Sequence, residues 1–469
     1  MSIMQSLRRP LLIIGFLLVL VFGPVLLAGY ADLSALRLAV SAHRRAIYAE
    51  SAAQRLPWAT GMFEVAGAAA LEANEYENAI RLLEIARTKS VLTPYGQFDL
   101  GKAYFLLGQR EKAIAEWRTL PNGHPATVSA APYLADADHA AARFDDEERV
   151  LRQWLALDPQ NADVHYRLGL LLFADASPEA IALFEFAAAS PELKPTVDGL
   201  RVALKTALED SNPAGRLTRC GQSLAATGEW LLALRTFGRA TQADASHALS
   251  WAWLAEAQQH IPGVDGNPAD ALYRAVKLAP GDAHVYALLG LYWQRQHNWP
   301  EARAAFEEAA RLEPHSAIWQ TSLGGVYVRL GDLNQALAYY QNATRLAPTD
   351  AQIWRALALF TLENGSDVEG IGRNAALRAY ALEPEHVESL DVLGRTLMAT
   401  AQYDAAESFF LRALNVAPQN AAPAYHLGLL YLHTHELGLA KKYLLMAQKL
   451  DPNGSSGEQA TDLLAHYFP

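Results

Sequence analysis

Residues Ile318–Pro348 read IWQTSLGGVYVRLGDLNQALAYYQNATRLAP. Leu323, Val326, Tyr327 and Leu330 recur at helical spacing, Gly331-Asp332 interrupts them, and Leu333, Ala336, Leu337, Tyr340, Ala343 and Leu346 resume the pattern. The stretch predicts two helices joined by a tight turn. Helices pair closely where a small residue lets the backbones approach, which assigns the contact to Gly324 in the first helix and to Ala336 and Ala343 in the second. Pro348 ends the second helix because its ring cannot donate to the preceding turn.

Outward from this stretch the pattern repeats. Pro280, Pro314, Pro348, Pro384, Pro418 and Pro452 stand 34, 34, 36, 34 and 34 residues apart. Gly290, Gly324, Ala358, Gly394 and Gly428 lie 24 or 26 residues before a proline, and Ala302, Ala336, Ala406 and Ala440 lie 12 residues after a small position. A fixed period marks one supersecondary unit stacked along an axis, each copy covering the apolar face its neighbour leaves open. Toward the amino terminus Gly67, Gly101, Ala135 and Gly169 keep the step of 34, and Gly221 follows after 52. That longer step holds one unit plus an extra helix near 196–209. Gly221 and Ala255 then restore the register, for about eleven units over 57–452, with 453–469 as a capping helix.

Trp354, Leu323-Gly324, Tyr327, Ala336, Tyr340, Ala343 and Pro348 together resemble the tetratricopeptide repeat, with its large apolar residue, Leu-Gly, Tyr, Ala, aromatic, Ala and Pro slots. The resemblance implies an all-α fold: an α-solenoid superhelix of helix-turn-helix units whose first helices line a concave surface that holds peptides or partner proteins. On a first helix, the residues three before and one or five after the small position form a stripe offset from the packed one. In the later units that stripe includes Glu256, Arg295, Arg329, Arg355, Asp391, Arg395 and Tyr425, with Trp253 and His426 beside it. Arginine and aromatic side chains suit extended, partly acidic chains. Cochaperones of this type clamp a terminal carboxylate with Lys and Asn. Here those slots hold Ala287, Leu291, Thr321, Gly325, Arg355 and Leu359, so that clamp is not expected.

Composition narrows the function. The 39 Lys and Arg against 50 Asp and Glu give a net charge of −11, which opposes a nucleic-acid role. The one cysteine, Cys220, falls in a packed Leu slot. Gly96 to Ala103 approaches a phosphate-binding loop, but Ala103 lacks the metal-binding hydroxyl and Gly101 already serves the repeat. His426, His433 and His435 cluster without the further ligands a metal needs and read as groove and turn residues. No cofactor, metal, small-molecule substrate or catalytic group is expected, and the chain reads as a non-enzyme.

Leu11–Ala28 is a run of eighteen uncharged residues between Arg8-Arg9 and Asp32. At about 1.5 Å per residue it approaches the thickness of a hydrocarbon core. It reads as a transmembrane anchor over 10–30, or a signal sequence, with a cytoplasmic tail over 1–9 and a juxtamembrane helix over 31–56. The expected protein is thus a single-pass membrane scaffold with an extracytoplasmic repeat region, binding a partner within an envelope or secretion assembly. The alternative is an accessory subunit that docks enzymes of polysaccharide or glycan assembly.

Overall fold

A computed structural model describes residues 24–56, 58–59, 61–89 and 92–469, and every regular element among them is helical. The quoted stretch forms helices Ala317–Leu330 and Leu333–Leu346. Gly331 at φ +81° closes the first, and the Asp332 carboxylate accepts from the Gln335 amide at 3.0 Å to start the second. Glycine reaches this left-handed geometry without steric penalty, and the Asp cap satisfies an orphan amide.

The same turn recurs at the repeat period. Gly108, Gly228 and Gly331 have positive φ, but so do Asn74, Ala142, Ala176, His297, Ala401 and His435 at the equivalent point of other hairpins. A non-glycine residue in this region costs about 1–2 kcal/mol. The hairpin's packing therefore sets the turn, and the local residue adapts to it.

That packing follows one rule. In seven hairpins among the described residues the small glycine of the first helix receives a large side chain from the second. A Cβ added at Gly290 would stand 2.8 Å from the Phe306 ring, and one at Gly394 would stand 2.6 Å from Phe410. Gly101 meets Trp117, Gly169 meets Phe184, and Gly67 and Gly428 meet Leu83 and Leu444. These side chains form the centre of each hairpin: Trp117, Phe184, Phe306 and Phe410 are all essentially sealed from solvent. Gly101 and its neighbours thus lie within helix Pro94–Leu106, where no phosphate-cradling loop exists.

Two irregularities absorb the larger departures from a 34-residue step. Helix Lys194–Leu208 stands between hairpin Ala162–Ala174/Glu179–Ala187 and the helices Pro213–Ala226 and Trp230–Ala243. The step of 36 is taken up after helix Ala351–Asn364 by a π-helical turn, Val368–Gly372, whose start is capped by the Asp367 carboxylate at 3.0 Å from the Gly370 amide. An inserted residue widens a turn at little cost when it leaves the packed face in register.

The amino-terminal expectation requires correction. Most of the anchor over 10–30, and the tail over 1–9, lie outside the described residues. What is described forms a helix over 24–38, which runs across the expected end of the anchor and stops before helix Ala42–Arg55, itself capped by Ser41. This helix packs on protein. Asp32 accepts from Arg55 at 2.6 Å and from Ser51 at 2.9 Å, and a Cβ at Gly29 would run into Leu56. Among the described residues no helix is long and apolar enough to cross a membrane. The transmembrane helix, the membrane as a partner and the single-pass, extracytoplasmic localisation are therefore withdrawn.

The chain divides into two compact units, Met1–Thr236 and Phe237–Pro469. In the second, helix Ser455–Tyr467 ends the array by setting Ala460 and Leu464 against Ala424, Leu444 and Ala447 of the last hairpin.

Candidate functional site

All nine residues predicted to face a partner lie in the unit Phe237–Pro469, on or beside its first helices. The structure sorts them into committed and uncommitted groups.

Glu256, on helix Ala248–His260, is 5% exposed. Arg295, one first helix further along, donates to it through Nη1 at 2.7 Å and through Nη2, while His260 Nε2 lies 3.1 Å away. Trp253 stacks on Phe237 with ring centres 5.7 Å apart, and is half-buried in the core. Arg355 donates to Glu383 and, at 2.9 Å, to the buried hydroxyl of Ser389. Asp391 binds His426 Nδ1 at 2.6 Å, and the His426 ring lies on Phe410. Glu256–Arg295 and Asp391–His426 join neighbouring first helices, and Arg355 is held by Glu383 in the following turn, so these charges are spent inside the solenoid.

Arg329 and Arg395 differ: neither forms a salt bridge among the described residues. The Arg329 guanidinium lies 5.8 Å over the Trp299 ring and is exposed. Arg395 is half-buried near Tyr425, whose phenol pKa is pushed up by burial and drawn back by that cation.

Beside Arg329 is a cleft of about 470 Å³ lined by Gly325, Val328, Tyr340, Leu359, Phe360 and Asn364, among others. Gly325 bounds it in a way sequence reading misses. A Cβ at its neighbour Gly324 would lie 2.9 Å from Tyr340, whereas one at Gly325 meets only the Tyr340 hydroxyl, at 3.6 Å. The signal was available, since Gly325 follows a small packing position by one and so falls on the inner stripe.

The first unit carries a second cleft, of about 550 Å³, on inner positions the sequence reading left unassigned. Asp136, His139, Tyr166 and Arg167 line it, together with Glu147 and Glu229. Arg167 is tied to Asp136 by an ion pair.

The architecture defines a class, the tetratricopeptide-type helical hairpin array, and comparison with known proteins agrees. Residues 287–351 match the tetratricopeptide repeat family profile, and residues 321–454 match that of the middle TPR-like domain of cilia and flagella-associated protein 70. These matches support the tetratricopeptide repeat family. The chain is similar to anaphase-promoting complex subunit CDC16 of Saccharomyces cerevisiae, 30% identical over 153 residues, covering 31% of this chain and 17% of that protein. It is also similar to BBSome complex member bbs-4 of Caenorhabditis elegans, 23% identical over 253 residues, covering 51% and 53%. The chain thus spans about half or less of these relatives' length. Among solved structures, the Cut9-Hcn1 hetero-tetramer of the APC/C aligns over 97% of this chain and 98% of that one, at a TM-score of 0.46 and 14% identity. Yeast Tom70 aligns over 87% and 95%, at 0.44 and 14%.

Proposed function

We propose that this chain is a non-catalytic scaffold that holds an extended segment of a partner protein along the first-helix face of Phe237–Pro469. The observation that carries the reading is the separation of charges: Arg295 and Arg355 are consumed by Glu256 and Glu383, while Arg329 and Arg395 form no salt bridge among the described residues, although Glu363 lines the cleft beside Arg329. A guanidinium free of salt bridges, beside a cleft of mixed polar and apolar lining, favours a carboxylate on an extended segment. Two of the similar proteins are named as subunits of multiprotein assemblies, which supports a role as a subunit within a complex. The narrower assignments, to an envelope or secretion assembly or to glycan assembly, depended on the membrane anchor and lose their support with it.

The test is partner capture by Arg329→Glu/Arg395→Glu. Capture should be lost with helical circular dichroism intact, whereas Arg355→Glu should reduce helicity as well, since it sets a second carboxylate against Glu383. Undiminished capture by the double variant would overturn the reading.

A further inference from the structure

We propose that Glu229 and the first two turns of helix Trp230–Ala243 form a clasp over the inner cleft of the first unit, pinned at His139 and loosened when His139 loses its proton.

The clasp is defined by four attachments, all within Met1–Thr236. Glu229 lies with its carboxylate 3.7 Å from Nε2 of His139, on helix Pro125–Ala140. Leu232, 1% exposed, fills the wall of the cleft beside it. Arg235 reaches back to Asp145 at 3.8 Å and to Asp175 at 3.6 Å, with its guanidinium 5.2 Å over the Phe144 ring. The Thr236 hydroxyl shares its hydrogen between the Leu232 carbonyl of its own helix at 2.8 Å and the Ala174 carbonyl at 3.1 Å. A segment some ninety residues beyond His139 in sequence is thereby held over the groove between helices Pro125–Ala140 and Ala162–Ala174. The extra helix Lys194–Leu208 lies within the intervening chain.

One attachment involves an imidazole, His139. The two ring nitrogens of His139 face two carboxylates: Nδ1 lies 3.0 Å from Glu147, which is 2% exposed, and Nε2 faces Glu229. The protonated ring donates to Glu147 and lies within ion-pair distance of Glu229. When it loses one proton, the closer and buried Glu147 retains the Nδ1 hydrogen, because a buried carboxylate left without a donor is the costlier outcome. The Nε2 lone pair is then directed at the Glu229 carboxylate, and attraction becomes repulsion.

The other charges around the ring do not reverse this. Arg167, from helix Ala162–Ala174, opposes protonation but is neutralised by Asp136. Asp163 lines the same cleft and adds negative potential. Tyr166 stays neutral across the range because burial pushes its phenol up. The net result is a His139 pKa above the ordinary value, for which the Glu147 hydrogen bond is the largest cause and Glu229 a further one. A raised histidine pKa stabilises the closed form below the unfolded value, and that stabilisation is lost as pH rises through the folded one. The clasp therefore closes in mild acid and loosens in mild base.

Hydrogen exchange by mass spectrometry on the full chain tests this, at pH 5.5 and pH 8.5 with exposure times scaled to intrinsic exchange. Amides of 230–236 in the wild type should lose about fivefold protection at the higher pH, the scale of one partly exposed ion pair. A peptide from Tyr403–Val416 in the second unit serves as an unchanged reference. In His139→Gln the loss should vanish, and in Glu229→Gln it should shrink, because that partner carries no charge. The same fivefold loss in His139→Gln, or none in the wild type, would overturn the proposal. Should His139→Gln fail to fold by circular dichroism, Glu229→Gln decides the matter: Glu229 is partly exposed, and an undiminished pH effect there is equally fatal.

Discussion

The Arg295 guanidinium grips the Glu256 carboxylate from the next first helix, Nη1 meeting Oε2 at 2.7 Å while Nη2 meets Oε1. The carboxylate is nearly sealed from water, whereas the arginine is more than a third exposed. The pair is therefore asymmetric. Arg295→Ala strands a buried anion and should lower unfolding stability by about 1–3 kcal/mol, with His260 limiting the loss. Glu256→Gln keeps a hydrogen-bond acceptor and should lose less. Urea unfolding followed by circular dichroism checks both.

Adjacent glycines should respond with opposite sign. Gly394→Ala drives a methyl into the fully buried Phe410 ring and should destabilise by about 1–3 kcal/mol, as overpacking does; Gly324, against Tyr340, should behave likewise. Gly325→Ala enters the open cleft and should stabilise helix Ala317–Leu330 by about 0.5–1 kcal/mol through backbone entropy. Loss of stability in Gly325→Ala would contradict the geometry of that groove.

The hairpin turns offer a gain. Ala142, Ala176 and Ala401 hold left-handed φ of 54°, 52° and 59° where sister hairpins use glycine. Each replacement by glycine relieves a Cβ penalty of about 1–2 kcal/mol and returns part of it to the unfolded chain's entropy. The triple variant should melt several degrees higher, roughly 2–4 °C per kcal/mol gained.

Asp99 gives a pH-dependent case. Burial pushes its carboxyl up to about 6, with Glu64 and Glu72 adding to the rise and Lys102 opposing it. A folded carboxyl titrating above its unfolded value of about 3.9 makes the folded state prefer the protonated form, so the penalty appears as pH rises between the two values. Asp99→Asn should thus raise the melting temperature at pH 7.5 and change little at pH 3.5. An equal shift at both pH values would remove the titration as its cause.

The hairpin period was legible because packing requires it. Gly290 against Phe306 and Gly394 against Phe410 recur sixteen residues apart, and such contacts leave a regular mark on the chain. Where that regularity breaks, between Gly169 and Gly221, stands helix Lys194–Leu208. The charge pairs were not legible, since Arg355 and Arg329 both occupy inner-stripe positions and differ only in what lies across from them. Glu383 sits in a turn 28 residues beyond Arg355, and no local pattern ties the two. The cleft at His139 stayed hidden because Glu229 reaches it across an interrupted repeat. Beyond the apolar run, Asp32 and Gly29 engage Arg55 and Leu56, contacts that hydropathy along the chain does not register.

Site-specific photo-cross-linking in native extracts tests the groove assignment most directly. A photoreactive residue at Gly325 should yield a discrete adduct, mapped to an extended segment of one partner and lost when Arg329 and Arg395 become Glu. The same residue at Arg345, exposed on a second helix, should yield none. A strong adduct from Arg345 with none from Gly325 would contradict the account, because the partner would then occupy the outer face.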